Sequence, residues 1–337
     1  MLTPKENYLR CLRGEVPEWV PQFTMGMPLK PGEPPPDMIL EPGIVNEHRM
    51  RGGGRDFWGV EYVPTESTGN ALIPKTSDFI LEDIADWRDV IKAPDLSGVD
   101  WEMVVKKDFE FWHINRETTA VGMGIHMGYF QLLMSFMGFS NGLMAYYEDP
   151  DEVKALFEYM ADFYCGIAER YIDICKPDYW FLVDDTAAWA NPFISPEMYR
   201  EFLLPLYDRQ AKFGRDRGLP IAMHNCGKCE SIIDDLVDIG VTQWNPAQTC
   251  NDLKAIKAKH GNRLVIAGGW DARGELLNDD VTYDEIYESV KKSFDDLAPG
   301  GGYCFCGGFL GAVGDERVAE KNAMVQRAVA ELDHKYY

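Results

Sequence analysis

In the second half of the chain, short apolar runs alternate with helical patterns five times, and few folds accept that order. The runs are "DYWFLVDD" (178–185), "LPIAMHNCG" (219–227), "VTQWNPAQ" (241–248), "RLVIAGGWD" (263–271) and "GYCFCGG" (302–308). Each is rich in β-branched or aromatic residues and ends in small or polar ones, as a buried strand does. Ser195 as N-cap and Pro196 as first helical residue predict a helix reaching Gly218. Thr282 and Glu285 spell a capping box. "CESIIDDLVDIG" and "NDLKAIKAKHG" end on glycine, and "DERVAEKNAMVQRAVAELDH" forms the last helix. In the first half, "WVPQFTMG" (19–26) and "TTAVGMGIH" (118–126) add strands, and Asp149 with Pro150 opens a long helix. "FWGVEYVP" (57–64) takes the eighth strand place.

Strand–helix alternation is the signature of a parallel sheet. Seven or eight such units predict an α/β fold, a (β/α)8 TIM barrel with an elaborated N-terminal region. The competing fold is an open doubly wound sheet, but no G-x-G-x-x-G turn follows an early strand. Residues 27–116 fit the alternation poorly and carry "PLKPGEPPPD" and "RMRGGGRDFWG". They read as a loop and cap over the barrel mouth, within a single domain spanning 1–337.

Charge narrows the partners. The formal net charge of −22 argues against nucleic acid, which needs clustered Lys and Arg, and against an anionic membrane surface. No run of about 18 apolar residues predicts a membrane span. The first twenty residues are charged throughout and lack the apolar core of a signal peptide. A cytoplasmic location is therefore expected, with the eight cysteines as reduced thiols. A homodimer is compatible with this composition.

In a parallel barrel the site lies at the C-terminal strand ends. That rule selects Met25 and Met27, His126, Asp184 and Asp185, His224 and Cys226, Asn245 and Gln248, Trp270 and Asp271, and Cys304 and Cys306. His224 and Cys226 are two apart, so an extended strand turns both to one side. Zinc takes imidazole and thiolate together, and a third ligand must come from another strand end; Cys306 is placed for it. The same residues are open to two other readings, plain packing or a Cys226/Cys229 redox pair. Of Asp184 and Asp185, adjacent and so facing opposite ways, one is expected in the mouth as acid, base or anchor and the other as a loop cap. His126 is either a proton carrier or hydrogen-bonded structure. Met123, Met127 and Tyr129 are expected as pocket wall.

The stretches "DDTAAWANPFISPEMYREFLLPLYDRQ", "HNCGKCESIIDDLVDIGVTQWNPAQ", "GNRLVIAGGWDARGELL" and "GGYCFCGG" together resemble the uroporphyrinogen decarboxylase superfamily, above all its corrinoid-linked methyltransferase branch. The resemblance implies a (β/α)8 barrel with its cleft at the strand C-termini. In true decarboxylases a "MRQAGR"-like segment supplies arginines for a tetrapyrrole polycarboxylate. The matching segment here, "QFTMGMPLKPG", has none. The methyltransferase branch binds zinc through H-x-C and a later Cys. His224 and Cys226 match the first two, while Phe309 stands where the third is expected and Cys306 is the nearest substitute. That mismatch weighs against a thiol substrate. The resemblance thus implies transfer of a methyl group from a small donor, an aromatic methyl ether, to the Co(I) corrinoid of a partner protein. His224, Asp184, Asp185 and His126 are the expected catalytic groups. The alternatives are a decarboxylase of another carboxylic acid, a methyl-corrinoid:thiol methyltransferase, and a barrel that binds corrinoid or tetrapyrrole without turnover.

Overall fold

The computed structural model describes residues 2–29, 32–76, 78–125 and 128–337. Seven parallel strands form one sheet, in the order Asp37–Leu40, Ala120–Met123, Tyr179–Val183, Ile221–His224, Gln243–Ala247, Val265–Gly269 and Tyr303–Cys306. Helices on the connections cover the outer face, giving an α/β, TIM-barrel-like architecture. The sheet curls. Ile39, Ala120, Tyr179, Phe181, Ala222, Val265, Ala267 and Cys304, from six of the strands, meet in one inner cluster with Phe23. Their neighbours Val121, Trp180, Leu182, Met223 and Ile266 pack outward against the helices. This is the period-two alternation of a strand, with apolar residues on both faces because both are covered.

The helix Pro4–Leu12 seals the inner cluster from the N-terminal end of the strands. Thr3 and Glu6 form its capping box, and Tyr8, Leu9, Cys11 and Leu12 join the inner cluster. The Tyr8 hydroxyl donates to Gln243 Oε1 at 2.8 Å.

Three sequence expectations change. The segment 19–26 forms no ladder strand; it meets the sheet through a single parallel bridge, Gln22 to Phe305. On its other side the buried Asp37 carboxylate accepts from the Thr24 and Met25 N–H groups at 2.7 and 2.9 Å. The place given to 57–64 belongs instead to Asp37–Leu40, inside the region read as loop and cap. Residues Glu61–Thr65 are a strand, but of a separate antiparallel sheet with Gly54–Arg55 and Ala71–Pro74. The helix expected over 195–218 is two, Pro196–Phe202 and Leu204–Arg215, broken at Leu203 (φ −114°). Pro205 explains the break, having no N–H to donate and a ring that crowds the preceding turn. The long helix stands as expected at Pro150–Cys175, capped by Asp149. Thr282 and Glu285 form their box on Tyr283–Leu297.

Candidate active site and metal centre

The strand Ile221–His224 points Ala222 and His224 inward, and the chain runs on to Cys226. The neighbouring strand turns Val183 and then Asp185 the same way. Three donor atoms from Asp185, His224 and Cys226 lie within 4.8 Å of one another. Cys226 Sγ is 3.5 Å from His224 Nε2, and Asp185 Oδ1 is 3.7 Å from that same nitrogen. On the far side of the ring, His224 Nδ1 lies 3.0 Å from Asn245 Oδ1. The Asn245 amide donates to the Met223 carbonyl at 3.3 Å, which turns its oxygen toward the imidazole. Nδ1 is therefore the donor to Asn245, and Nε2 faces Cys226 and Asp185. A metal-ligating histidine is held by this kind of support. For a zinc ion held by this group, replacing Asn245 with Ala is expected to weaken binding by about 10–100-fold, measured by competition with a chelator.

Asp185 is anchored from two directions. Its Oδ1 accepts from Cys226 N–H at 2.9 Å, and its Oδ2 accepts from Gln131 Nε2 at 2.8 Å. Asp184 faces the other way and is fully buried. It accepts from the N–H groups of Phe130, Gln131 and Asp185 at 3.0–3.1 Å and from the Tyr207 hydroxyl at 2.5 Å. It thus holds the start of the helix Tyr129–Met137. Burial pushes its carboxyl up to about 6 against the pull of those donors. Gly128 is the residue that lets it in, because a β-carbon there would sit 2.1 Å from the Asp184 carboxyl.

Burial, with Asp185 beside it, pushes the Cys226 thiol well above the usual range. Cys229 is buried and lies 3.0 Å from the Cys226 carbonyl, within donating distance. Burial raises its thiol too. Neither is a low-pKa redox cysteine. Cys306 ends its strand at the inner cluster, but its sulfur is not in the Asp185–His224–Cys226 group. Cys304 is deeper and fully buried.

A cavity of about 340 Å³ opens beside these groups. His224, Asp185 and Gln131 form its polar side, and Met25, Ile39, Phe181 and Val183 form apolar wall. Glu41, Asn46, Arg49, Met50 and Trp112 also line it, and none was selected from the sequence. Their signal was absent, because the first strand of the sheet and the helix Gly43–Met50 lie in the region read as loop. Across the C-terminal side, the Arg273 guanidinium stacks 3.6 Å from the Trp189 ring centre. This joins the loop after Tyr179–Val183 to the loop after Val265–Gly269.

The other selected residues lie elsewhere. Met123 is fully buried and faces the outer helices, as alternation from Gly122 requires. Tyr129 is fully buried, with its ring 5.5 Å from Tyr207 and 5.9 Å from Phe157. Met27 is exposed. Gln248 accepts from Gly227 N–H at 2.7 Å and so shapes the loop after His224. Trp270 and Asp271 line a second cavity of about 390 Å³, where Trp270 donates to Ser289 and Asp271 accepts from Thr249. Gly269, at φ +74°, turns the chain at the end of this strand. His126 and Met127 lie outside the described residues.

The fold and site define a parallel β/α enzyme scaffold with an imidazole, a thiol and a carboxylate gathered at its strand ends. A profile of the uroporphyrinogen decarboxylase (URO-D) family matches residues 109–328, nearly two thirds of the chain, and the chain belongs to that family. No curated protein matches the sequence. Among solved structures, a methyltransferase from Methanosarcina mazei overlays with a TM-score of 0.60 at 15% identity, covering 98% of this chain and 99% of that one. This likeness is one of fold. Dispersin B overlays with a TM-score of 0.36 at 8% identity, over 69% of this chain and 77% of its own. A 3-keto-L-gulonate-6-phosphate decarboxylase from Vibrio cholerae O1 biovar El Tor overlays at 0.29 and 11% identity, over 68% and 79%. No helix among the described residues is long and apolar enough to cross a membrane.

Proposed function

We propose that this chain, as a single (β/α)8 barrel unit, moves a methyl group from a small aromatic methyl ether to the Co(I) corrinoid of a partner protein. The observation that carries the reading is the Asp185–His224–Cys226 group beside a cavity to which Met25, Ile39, Met50, Trp112, Phe181 and Val183 give an apolar wall and Glu41, Asn46, Arg49 and Gln131 polar groups. Family membership and the fold shared with a methyltransferase support it. The described lining is poorly suited to a polycarboxylate: its single arginine, Arg49, is already paired with Glu41.

The ether carbon–oxygen bond breaks as cobalt attacks the methyl carbon, and the electron pair leaves on oxygen. An alkoxide or phenoxide is a poor leaving group unless protonated or bound to a Lewis acid. The donor set fits zinc in type, and Asp185, His224 and Cys226 would hold it; such an ion supplies Lewis acidity to the leaving oxygen. The chain does the rest. Asn245 fixes the His224 tautomer, and Gln131 with the Cys226 N–H fixes Asp185. Met25, Ile39, Phe181 and Trp112 hold an arene and exclude water.

The test is anaerobic incubation with cob(I)alamin and a panel of methoxyarenes. Methyl-cobalt absorbance is expected with at least one donor. None with any donor removes the reading. Carbon dioxide release without corrinoid would favour a decarboxylase, and demethylation of methylcobalamin by a thiol would favour the reverse transfer.

A further inference from the structure

A tight turn at the cavity runs through Thr24, Met25, Gly26 and Met27. The Met27 N–H donates to the Thr24 carbonyl at 3.2 Å, and φ is +51° at Met25 and +90° at Gly26. Positive φ at both central residues is the signature of a type I′ turn, whose first central place suits Asn, Asp or Gly. Gly26 fits its place. Met25 does not, because its β-carbon is crowded there and it has no short polar group to offset the cost. Such residues persist only where their surroundings hold them, and they cluster at ligand sites. Met25 is 42% exposed and lines the cavity beside Ile39, Phe181 and Val183. Burial in the core therefore does not account for a methionine in this turn.

The hold comes from the strand Asp37–Leu40. Asp37 is fully buried. Its Oδ1 accepts from the Thr24 N–H and hydroxyl at 2.7 and 2.9 Å, and its Oδ2 accepts from the Met25 N–H at 2.9 Å. Met38 packs against the turn, where a β-carbon on Gly26 would meet its Cγ at 3.6 Å. Two residues after Asp37, Ile39 joins the same cavity wall as Met25. We infer that Asp37 is a positioning residue: its carboxylate holds Met25 in the left-handed conformation that brings this residue to the cavity wall. The inference rests on the reading of this cavity as the arene site and adds what holds its wall in place.

NMR of ¹³C-labelled methionine methyls and calorimetry with anisole test it on the whole protein. Met25→Asn identifies the Met25 resonance and puts a favoured residue in the turn. It is expected to keep or raise the melting temperature while weakening anisole binding about tenfold. In Asp37→Asn the amide oxygen can still accept from Thr24, but the NH₂ then faces the Met25 N–H. The Met25 resonance is expected to move without any ligand, and anisole to bind about tenfold more weakly. The double variant is expected to bind anisole no more weakly than Met25→Asn alone, because both changes act through one residue. A Met25 resonance unmoved in Asp37→Asn overturns the inference, and so does a double variant whose loss is the product of the two single losses. Either result leaves the methyl-transfer reading standing. Where Asp37→Asn alone does not fold, Met25→Gly is expected to restore folding, since glycine needs no hold at positive φ; no restoration also overturns the inference. No anisole binding by the wild type removes Met25 from an arene wall and overturns it too. No methyl-cobalt from any methoxyarene removes the methyl-transfer reading itself.

Discussion

Replacing Cys306 with Ser is expected to leave zinc content at the wild-type level, while His224→Ala and Cys226→Ala each lower it to near background. Metal analysis after equilibration with a slight excess of zinc is the measurement. The reason is geometric. His224, Cys226 and Asp185 bring donor atoms within 4.8 Å of one another, and the Cys306 sulfur is outside that group. Removing one protein ligand from three leaves a site short of the three that catalytic zinc requires. Asp185→Asn is the deciding variant. Its amide keeps the size and can still accept from Cys226 N–H, yet it offers zinc no charge. Affinity is expected to fall by more than about 100-fold, beyond what loss of a supporting residue costs. Zinc lost in Cys306→Ser but kept in Asp185→Asn would assign the third ligand to Cys306, as the family resemblance implies.

The second large effect is on stability and comes from the neighbouring carboxylate. Asp184→Asn is expected to destabilise the fold by about 3 kcal/mol and lower the melting temperature by several degrees. Asp184 meets only donors in its described hydrogen bonds: three backbone N–H groups and the Tyr207 hydroxyl. An amide in its place must turn its own NH₂ toward some of them, which leaves buried donors facing each other. The start of the helix Tyr129–Met137 is held by the same contacts, and Gln131 on that helix reaches Asp185. A loss of activity beyond the loss of fold is therefore expected as well. Asp185 is half-buried, and Gln131 can turn its own amide oxygen toward the new NH₂, so Asp185→Asn is expected to cost less than about 1 kcal/mol. A melting curve of Asp184→Asn that overlays the wild type would remove this account.

These two variants also show what was legible in the sequence. The period of a strand is enough to turn His224 and Cys226 to one side and to separate Asp184 from Asp185. It does not give the register between strands. The pairing of Val183 with His224, which carries Asp185 to the imidazole, is a tertiary fact. Selecting Cys306 as third ligand required a distance that no spacing contains. The strand Asp37–Leu40 was missed because four residues after a proline run show too little period to distinguish from a turn. With it went Glu41, Asn46 and Arg49. Composition did find a strand at Glu61–Thr65, but β-propensity does not say which sheet a strand joins. Trp270 and Asp271, selected as a strand end, line a second cavity beyond Gly269, and which cavity a strand end lines is set by its neighbours. The box of Thr3 and Glu6, with Pro4 between them, was present in the sequence and predicts the helix Pro4–Leu12.

That helix has a kinetic consequence. Among the described residues Tyr8 and Leu12 cover the inner cluster from one end, and the cavity beside the Asp185–His224–Cys226 group opens at the strand C-termini. In the proposed methyl transfer, a small donor and a bulky acceptor would then share one doorway. The donor has to enter first, since an acceptor already seated would block its way. That proposal predicts an ordered sequence, with substrate inhibition by excess acceptor that rising donor concentration relieves.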